Sequence, residues 1–286
     1  MEERIMRILV VGMGLIGGSI CKSIKAATSH AVYGCDIQPK VLEDAAADGA
    51  IDGAGTMTDG TYDMIILCLH HRIAVQMVQE ALPKIPAGTI LVDTCGLKGR
   101  MVRDLTYRCQ KAGVRYVGTH PMAGREKNGY YASIPDLFQN ANLIVTPVDG
   151  TDEAALDTVK ELAKQMGFGK IVTATPMWHD NMIAYTSQLA HVVSSSYVKD
   201  FCMDDALSFS GGSFQDMTRV ARLNENMWTE LFLDNGDNLA NEIDSLIARM
   251  QAYSDAIKAK DADTLCELLR EGREKCIAID EIKDFD

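Results

Sequence analysis

The stretch ILVVGMGLIGGSICKSI, residues 8–24, decides the fold of the first half of the chain. An apolar run leads into three glycines with the spacing G-x-G-x-x-G, and a helical pattern follows. In a dinucleotide-binding unit the first glycine permits the tight turn, the second lets a pyrophosphate approach the backbone, and the third lets the helix pack closely on the strand. The N–H groups and the dipole at the start of the helix favour an anion. We therefore predict that a dinucleotide contacts Gly12, Gly14, Leu15, Ile16 and Gly17.

The kind of nucleotide is indicated by Asp36, which ends the next apolar run, 19 residues after Gly17. A carboxylate at this place accepts hydrogen bonds from the ribose 2′-hydroxyl and would repel a 2′-phosphate. The sequence therefore predicts NAD in preference to NADP. A glycine-rich turn without a ligand is the alternative, and the strand, helix and acid in this order argue against it.

Short apolar runs alternate with helical patterns through the first half of the chain. Because these runs are rich in Val, Ile and Leu, we expect a mostly parallel sheet that is covered on both faces. After Pro176 the patterns are helical only. The sequence thus predicts an α/β Rossmann-type dinucleotide-binding domain over residues 1–175 and an all-α domain over residues 176–286. The expected strands cover residues 7–11, 31–35, 64–69, 89–92, 115–118, 143–146 and 170–175.

Composition limits the classes of function that the chain can have. Its 286 residues carry a formal net charge of -12, which argues against a nucleic-acid-binding surface. Eight cysteines are scattered without a CxxC pair, which favours reduced thiols. The N-terminal residues run directly into a strand, and no apolar run has the length of a membrane span. We expect a cytoplasmic protein without nucleic-acid or membrane partners.

A polar stretch, VGTHPMAGREKNG at residues 117–129, follows the strand around Tyr116. Ligands of an open parallel sheet gather beyond the carboxyl ends of its strands, so His120 lies where a substrate could meet a nicotinamide. Histidine is suited to moving a proton near neutral pH. From position alone, a structural histidine that bonds to its own loop is an equal alternative. Arg125 and Glu126 could equally be solvent-facing charges.

Four stretches resemble motifs of the prephenate dehydrogenase family, the enzymes of tyrosine biosynthesis. GTHPMAGREKNG is similar to its G-T-H-P-(apolar)-A/F-G-x-E motif, and WHDNMIAYTSQLAHVVSSS is similar to its helical S-x-L-x-H segment. GGSFQDMTRVA and NENMWTELFLDN resemble the G-x-F-x-D-x-T-R-I/V-A and M-W-x-x-I/L-F-x-x-N segments that follow. With the glycine turn, the four cover the chain from about residue 7 to residue 245 in the family's order. They are much more specific than the glycine turn.

The resemblance implies an oxidoreductase. In that reaction NAD accepts a hydride from the hydroxyl-bearing ring carbon of prephenate, and the ring loses its carboxylate as carbon dioxide to give 4-hydroxyphenylpyruvate. By the same likeness His120 takes the hydroxyl proton, and His191 is a second histidine of the catalytic pocket. Arg219 would bind a substrate carboxylate, and Glu126 would order or gate the pocket mouth. On the residues alone, His191 could be a core histidine and Arg219 a surface charge.

Some positions depart from the family pattern. Gly96, in DTCGLKG, stands where the family has a serine that supports the catalytic histidine, so another group or a water must orient His120. Gln215 stands where the family often has lysine, which weakens one electrostatic anchor for the substrate. The segment CLHHR lacks the usual proline, and its pair His70–His71 has no further ligands at metal-binding spacing. We therefore predict no metal site.

The resemblance also bears on partners and substrate. The family's helical domains pair across a two-fold axis, which implies a homodimer here. Arogenate carries an ammonium group where prephenate carries a ketone. Arg125 and Arg219 could serve two carboxylates, and Arg125 would pair with Glu126 or repel the ammonium group, which favours prephenate. An unpaired Glu126 would instead favour arogenate.

Two other functions are open at this point. A β-hydroxyacid dehydrogenase would carry a catalytic lysine on the first long interdomain helix, but residues 177–199 offer His179 and His191 and no lysine before the last residue. A non-catalytic NAD-binding sensor is compatible with the departures at Gly96 and Gln215. The presence of His120, Arg219 and Glu126 argues against the sensor.

Overall fold

The structure, a computed structural model, describes residues 4–125, 127–200 and 208–285. Two compact units divide the chain, one over residues 1–235 and one over residues 236–286. The first unit contains the α/β part together with the helices up to Asn235. The domain boundary expected after residue 175 falls within this unit, at the change from mixed to helical structure, and stays a prediction.

The framework of the first unit is an eight-stranded sheet. Its strands are β1 (Arg7–Val11), β2 (Ala31–Cys35), β3 (Gly53–Ala54), β4 (Met64–Leu67), β5 (Ile90–Asp93), β6 (Arg115–Pro121), β7 (Asn142–Val145) and β8 (Lys170–Thr173). In space they follow the order β3-β2-β1-β4-β5-β6-β7-β8. Neighbours are parallel except β6 and β7, which pair antiparallel. The predicted mostly parallel sheet is confirmed, and its strand order changes direction between β1 and β4, where nucleotides bind in doubly wound sheets.

Helices alternate with the strands and then replace them. Thr175 caps the first helix after the sheet by accepting from the N–H of Trp178, and Pro176 occupies its first turn, where a missing N–H costs nothing. The helices of the first unit are α1 (Leu15–Ala27), α2 (Pro39–Ala47), α3 (His71–Ala81), α4 (Gly99–Lys111), α5 (Glu153–Gln165), α6 (Pro176–Ile183), α7 (Leu189–Tyr197), α8 (Gly212–Thr218) and α9 (Glu225–Asp234).

An apolar layer covers each face of the sheet. Along β1, Ile8 and Val10 belong to one buried cluster and Leu9 and Val11 to the other, which is why the strand is apolar at every position. Helix α1 packs on the first layer and α4 on the second. Each fully buried side chain of this size stabilises the fold by roughly 1.5–3 kcal/mol. Burial on both faces therefore fixes the strand ends that carry the site.

Strand β6 extends further than the sequence indicated. Its first half, up to Gly118, pairs with β5, and its last residues, Thr119 to Pro121, pair antiparallel with β7. The expected strand ended at residue 118, which left His120 in a loop. His120 instead pairs with Ile144 within the sheet, so the backbone that carries this side chain is held by strand hydrogen bonds.

The long helix expected after Pro176 contains a π-helical turn. Helix α6 passes into this turn at Ala184–Gln188, and α7 continues from Leu189. Such turns are rare and occur frequently at functional sites. The turn therefore indicates a functional site along this stretch of helix.

The second unit consists of α10 (Gly236–Ala259) and α11 (Ala262–Phe285). The Tyr253 hydroxyl donates to the carbonyl of Leu268, which ties the two helices together. Across both units, none of the described helices combines the length and the apolar character needed to cross a membrane.

Candidate active site

The glycine turn after β1 is closed at two positions and open at one. Gly12 has a φ of +92°, and a Cβ there would lie 2.5 Å from the carbonyl oxygen of Cys68. A Cβ on Gly17 would lie 2.0 Å from the carbonyl oxygen of Gly12. At Gly14 a Cβ would meet no atom within 4 Å. Protein backbone thus requires glycine at the first and third positions, whereas the space beside Gly14 is left for a ligand.

Helix α1 begins directly beside this space. Gly14 is its N-cap residue and offers no side-chain cap, so the first-turn N–H groups of Leu15 and Ile16 lack an intrahelical acceptor. Unpaired N–H groups and the helix dipole suit a phosphate. The geometry fits the pyrophosphate of a dinucleotide at the predicted residues.

Asp36 follows β2 and is held in one orientation. Its two carboxylate oxygens accept hydrogen bonds from the backbone N–H of Met13, at 2.8 Å, and of Gln38, at 2.9 Å. A carboxylate offers about four acceptor positions, so both oxygens keep capacity for ribose hydroxyls. Ile37, next in the chain, is 95% exposed and offers an apolar surface beside the acid.

His120, near the end of β6, is fixed through one ring nitrogen. Its Nδ1 lies 2.9 Å from Nε2 of His179, a buried residue of α6. Its Nε2 faces Gly96, where a Cβ would lie 3.9 Å away. Desolvation lowers the pKa of His120 well below 6.5, and His179 and Lys98 lower it further. The ring is therefore neutral near neutral pH, with Nε2 towards the open side.

Asp180 continues the chain of polar side chains behind His179. The Nδ1 of His179 lies 2.8 Å from Oδ1 of Asp180. The same carboxylate accepts from the backbone N–H of Lys98 at 2.7 Å and of Gly99 at 2.8 Å. These N–H groups open α4, whose dipole favours a negative charge at this end. Asp180, His179 and His120 thus form a continuous hydrogen-bonded chain.

A fully buried lysine lies beneath this chain. Lys98 is 0% exposed, pairs through Nζ with Asp93, and donates to the carbonyl of Thr119 at 2.5 Å. The hydroxyl of Tyr116 donates to the other oxygen of Asp93 at 2.6 Å. Because Thr119 precedes His120, the lysine anchors the strand segment that carries the histidine.

Two buried amides hold the helices on the other side. Asn235 donates to the carbonyl of Asp180 at 2.8 Å and to the side-chain oxygen of Gln188 at 2.7 Å. Gln188, in the π-helical turn, donates to the carbonyl of Leu231 at 3.0 Å. Helices α6 and α9 are thereby locked together around His179 and Asp180.

His191, on α7, packs against α9, the helix that also approaches Gly96. Its Nδ1 is 3.1 Å from the carbonyl oxygen of Val220, and its ring lies 4.0 Å from that of Trp228, between centroids. Leu231, one turn beyond Trp228, approaches to 4.0 Å the position of a Cβ on Gly96. Residues three apart share a helix face, so the same face of α9 borders His191 and Gly96.

Three further predicted substrate residues are exposed, namely Arg125, Gln215 and Arg219. Arg219 opens the short turn Arg219–Ala221, which His191 contacts through Val220, and Gln215 lies one turn earlier on α8. The Arg125 guanidinium donates to the carbonyl of Ala132 at 3.1 Å. Glu126 lies outside the described residues. The structure thus puts the short turn that contains Arg219 beside His191.

Among the described residues, one group of side chains has the spacing of a metal site. Ligand atoms of His71, Glu230 and Asp234 all lie within 4.8 Å of one another. Both carboxylates already have cationic partners, since Arg72 lies 3.3 Å from Glu230 and Arg100 pairs with Asp234. The buried Nδ1 of His71 has no hydrogen-bond partner within the described part of the chain, so ion pairs account for the two carboxylates only, and the absence of a metal stays a prediction.

Comparison with known proteins identifies the family. Residues 20–173 match the family model of the prephenate dehydrogenase nucleotide-binding domain, and residues 175–271 match that of the prephenate dehydrogenase dimerization domain. The chain belongs to the prephenate dehydrogenase family. It is therefore an oxidoreductase of this dehydrogenase family with a nucleotide-binding domain, and the family decides against the β-hydroxyacid dehydrogenase alternative.

Similar proteins span nearly the whole chain. Cyclohexadienyl dehydrogenase of Zymomonas mobilis is 28% identical over 285 residues, which are 95% of each chain. Prephenate dehydrogenase of Bacillus subtilis is 29% identical over 267 residues, 90% of this chain and 72% of that one. The structure of prephenate dehydrogenase from A. aeolicus in complex with hydroxyphenyl propionate and NAD+ is 28% identical, with a TM-score of 0.87 over 98% of this chain and 100% of that one. The predicted family and fold are confirmed.

Sequence reasoning gave no role to His179, Asp180 and Lys98. The first two lie in the quoted segment WHDNMIAYTSQLAHVVSSS, immediately before the part that carried the resemblance. A histidine followed by an acid near the start of a helix was the available signal. Lys98 gave a weaker one, because a lysine after an apolar strand usually faces solvent.

Proposed function

We propose that the chain is an NAD-dependent prephenate dehydrogenase of tyrosine biosynthesis, which converts prephenate to 4-hydroxyphenylpyruvate and carbon dioxide. One observation carries the proposal: His120 lies near the end of β6, at the same edge of the sheet where the glycine turn follows β1. The carboxyl ends of parallel strands form one binding edge, so a base and a dinucleotide site meet there.

His120 acts as the general base through Nε2, because Nδ1 is engaged by His179. Its lowered pKa leaves the ring neutral and able to accept the hydroxyl proton of the substrate. When bound, NAD supplies the acceptor for the hydride that leaves the same ring carbon. The bond to the ring carboxylate then breaks, and its electron pair gives a phenolate oxygen, which protonated His120 reprotonates. Atoms and charge balance with carbon dioxide as the released product.

Arg219 and His191 are proposed to bind the substrate beside this base. Nδ1 of His191 is oriented by the carbonyl of Val220, so the opposite nitrogen faces away from this contact. A guanidinium holds a carboxylate through two parallel hydrogen bonds. Replacing Arg219 with alanine should raise KM for prephenate, while kcat falls less.

Prephenate is proposed in preference to arogenate. Arg219 and Arg125 bring positive charge to the helical part and to the segment after β6, and both are exposed. The side arm of prephenate carries no ammonium group that these charges would repel. The test is kcat/KM for both substrates in the unmodified protein and in Arg125→Ala, which should shift preference towards arogenate. Faster turnover of arogenate by the unmodified protein would contradict the proposed substrate.

NAD is proposed in preference to NADP because of Asp36. Its carboxylate would lie near a 2′-phosphate, and Lys40, on the following helix, is paired with Asp44 at 2.7 Å. Asp36→Asn should narrow the ratio of kcat/KM between NAD and NADP by about 10- to 100-fold, the worth of a hydrogen bond to a charged group. Equal use of both cofactors by the unmodified protein would overturn this preference.

A homodimer is proposed as the assembly. The family model that matches residues 175–271 describes a dimerization domain. Trp178, Met182 and Tyr185 are exposed on consecutive turns of α6 and the π-helical turn, a spacing that makes an apolar stripe. Sedimentation equilibrium should give twice the mass of one chain, and a monomer at assay concentrations would contradict the proposal.

The decisive experiment is a steady-state assay with prephenate and NAD, followed at the absorbance of NADH. Turnover with release of carbon dioxide supports the proposed function. Binding of NAD without turnover of prephenate or arogenate would support a non-catalytic NAD-binding sensor instead.

A further inference from the structure

We propose that His179 and Asp180 are positioning residues that hold the proton of neutral His120 on Nδ1 and thereby leave the Nε2 lone pair for the substrate. The proposal rests on the proposed function of His120 as a base. It explains how the histidine is oriented when Gly96 offers no side chain on the Nε2 side.

The argument begins at Asp180, which can only accept hydrogen bonds when it is ionised. Two backbone N–H groups at the start of α4 bond to its oxygens and keep the carboxylate in place. Its remaining neighbour is Nδ1 of His179 at 2.8 Å. A carboxylate requires a proton on that nitrogen, so neutral His179 carries its hydrogen on Nδ1.

The assignment then passes to the next ring. With its hydrogen on Nδ1, His179 presents a lone pair at Nε2, 2.9 Å from Nδ1 of His120. A lone pair accepts, so His120 must donate from Nδ1. A neutral imidazole carries one hydrogen, which leaves the Nε2 of His120 as the acceptor.

Burial keeps this chain in one arrangement. His179 is 1% exposed, so water does not compete for its nitrogens. The amides of Asn235 and Gln188 fix the backbone of α6 at Asp180. On the β5 side, the oppositely charged residues Lys98 and Asp93 pair with each other, and Lys98 also donates to the carbonyl of Thr119, next to His120.

The chain also serves the protonated state of His120. Once Nε2 has taken the hydroxyl proton, the imidazolium donates from Nδ1 to a neutral ring that is itself backed by a carboxylate. A positive charge formed in a buried place is stabilised by such an oriented acceptor. His179 therefore supports both the resting tautomer and the charged form without touching the substrate.

The first test reads the tautomer directly and needs no substrate. Nitrogen-15 NMR of histidine-labelled protein should show His120 with a protonated Nδ1 and an unprotonated Nε2, with His120→Asn identifying the signals. Finding the hydrogen of neutral His120 on Nε2 would overturn the proposal, whatever reaction the protein catalyses.

The second test uses a matched pair of substitutions at His179. In His179→Gln the amide oxygen can accept from Nδ1 of His120, whereas in His179→Leu nothing can. We expect the leucine variant to lose about 10²–10⁴-fold in kcat with little change in KM or NAD affinity, and the glutamine variant to recover most of that loss. Equal activity of the two variants would overturn the proposal.

Asp180→Ala completes the experiment. It removes the acceptor for Nδ1 of His179, so that ring can carry its hydrogen on Nε2 and donate to His120, and the NMR signals of His120 should then show hydrogen on Nε2 in part of the molecules. Unchanged signals in a variant that still binds NAD would contradict the role of Asp180. If no substitution at His179 or Asp180 affects the tautomer of His120, but the unmodified protein turns over prephenate, the proposed function stands and this inference fails.

Discussion

The cofactor turn and the histidine chain lie at the same edge of one sheet but are built in opposite ways. The turn needs six consecutive residues, from Gly12 to Gly17, and nearby backbone requires glycine at its first and last positions. The chain joins β6, α6 and the start of α4, and its members His120 and His179 are 59 residues apart. A local site can be recognised from spacing, whereas a dispersed one depends on how the helices pack.

The difference also separates two kinds of vulnerability. At the turn a wrong side chain collides with backbone, so the sequence must exclude every residue except glycine at two positions. In the chain a wrong side chain leaves a polar neighbour without its partner, so the cost falls on orientation and protonation. The following substitutions test that distinction.

The largest effect is expected at the end of the dispersed site. His120→Asn removes the acceptor of the hydroxyl proton and should lower kcat by about 10²–10⁴-fold, the usual contribution of a general base. NAD affinity, measured by fluorescence titration, should be unchanged because the glycine turn is separate. A fully active variant would show that His120 is structural.

A smaller effect is expected at the local site, where two alanine substitutions form a matched pair. Gly14→Ala meets open space, so the fold should keep its Tm while NAD binding weakens by about 10- to 100-fold through overlap with the ligand. Gly17→Ala places a Cβ 2.0 Å from the carbonyl of Gly12, so it should lower the Tm as well. An unchanged NAD affinity in Gly14→Ala would show that no ligand occupies the space at Gly14.

A change of the buried ion pair should shift the pH profile. Lys98 lowers the pKa of His120, so the double variant Lys98→Met with Asp93→Asn should raise it without leaving a buried charge unpaired. The base is active when neutral, so the acidic limb of kcat/KM, which reports the free enzyme, lies at its pKa. That limb should lie below pH 6.5 in the unmodified protein and move upward in the variant.

The matched control for this shift is Tyr116→Phe. It removes the hydroxyl that donates to Asp93 but leaves both charges in place. Its pH limb should stay where it is in the unmodified protein. An equal shift in the two variants would mean that packing, and not the lysine charge, sets the profile.

The smallest effect is expected for Gly96→Ser, which introduces the serine that the resemblance implies for this position. A Cβ at this position would lie 3.9 Å from Nε2 of His120 and 4.0 Å from Leu231, so the side chain fits. Because His179 already orients the ring, kcat should change by less than about tenfold, within the worth of one hydrogen bond. A gain of a hundredfold would show that the histidine chain leaves the ring poorly oriented.

The same contrast explains what could be predicted from the sequence. The bounds of β1 and β2 followed from apolar runs between turn residues and agree with the structure. The end of β6 could not be predicted from its apolar run, because its last residues pair with β7, a strand more than twenty residues away. The two-residue β3 was not predicted, since a strand that short has no periodicity.

At the site, the sequence indicated which residue types are functional but not which side chains form hydrogen bonds with one another. His120 was singled out because it follows a strand of a parallel sheet, yet the need for something other than a serine to orient it could only be stated as a question. His179 answers that question through the packing of α6 against the start of α4, which no spacing in the chain encodes. The roles assigned to His191, Arg219, Arg125, Gln215 and Glu126 stay predictions.

The π-helical turn at Ala184–Gln188 sets the angular phase between two histidines. His179 and His191 are 12 residues apart, and an uninterrupted α-helix, at about 100° per residue, would put them about 120° apart around its axis. The π-helical turn contains one residue more than an α-helical turn, so only eleven residues contribute about 100° each. The two side chains therefore lie within about 20° of each other around the helix axis. A helical wheel drawn from the sequence would assign them to different sides of the helix. Deletion of one residue from this turn would therefore leave a regular α-helix that still has both histidines on one side.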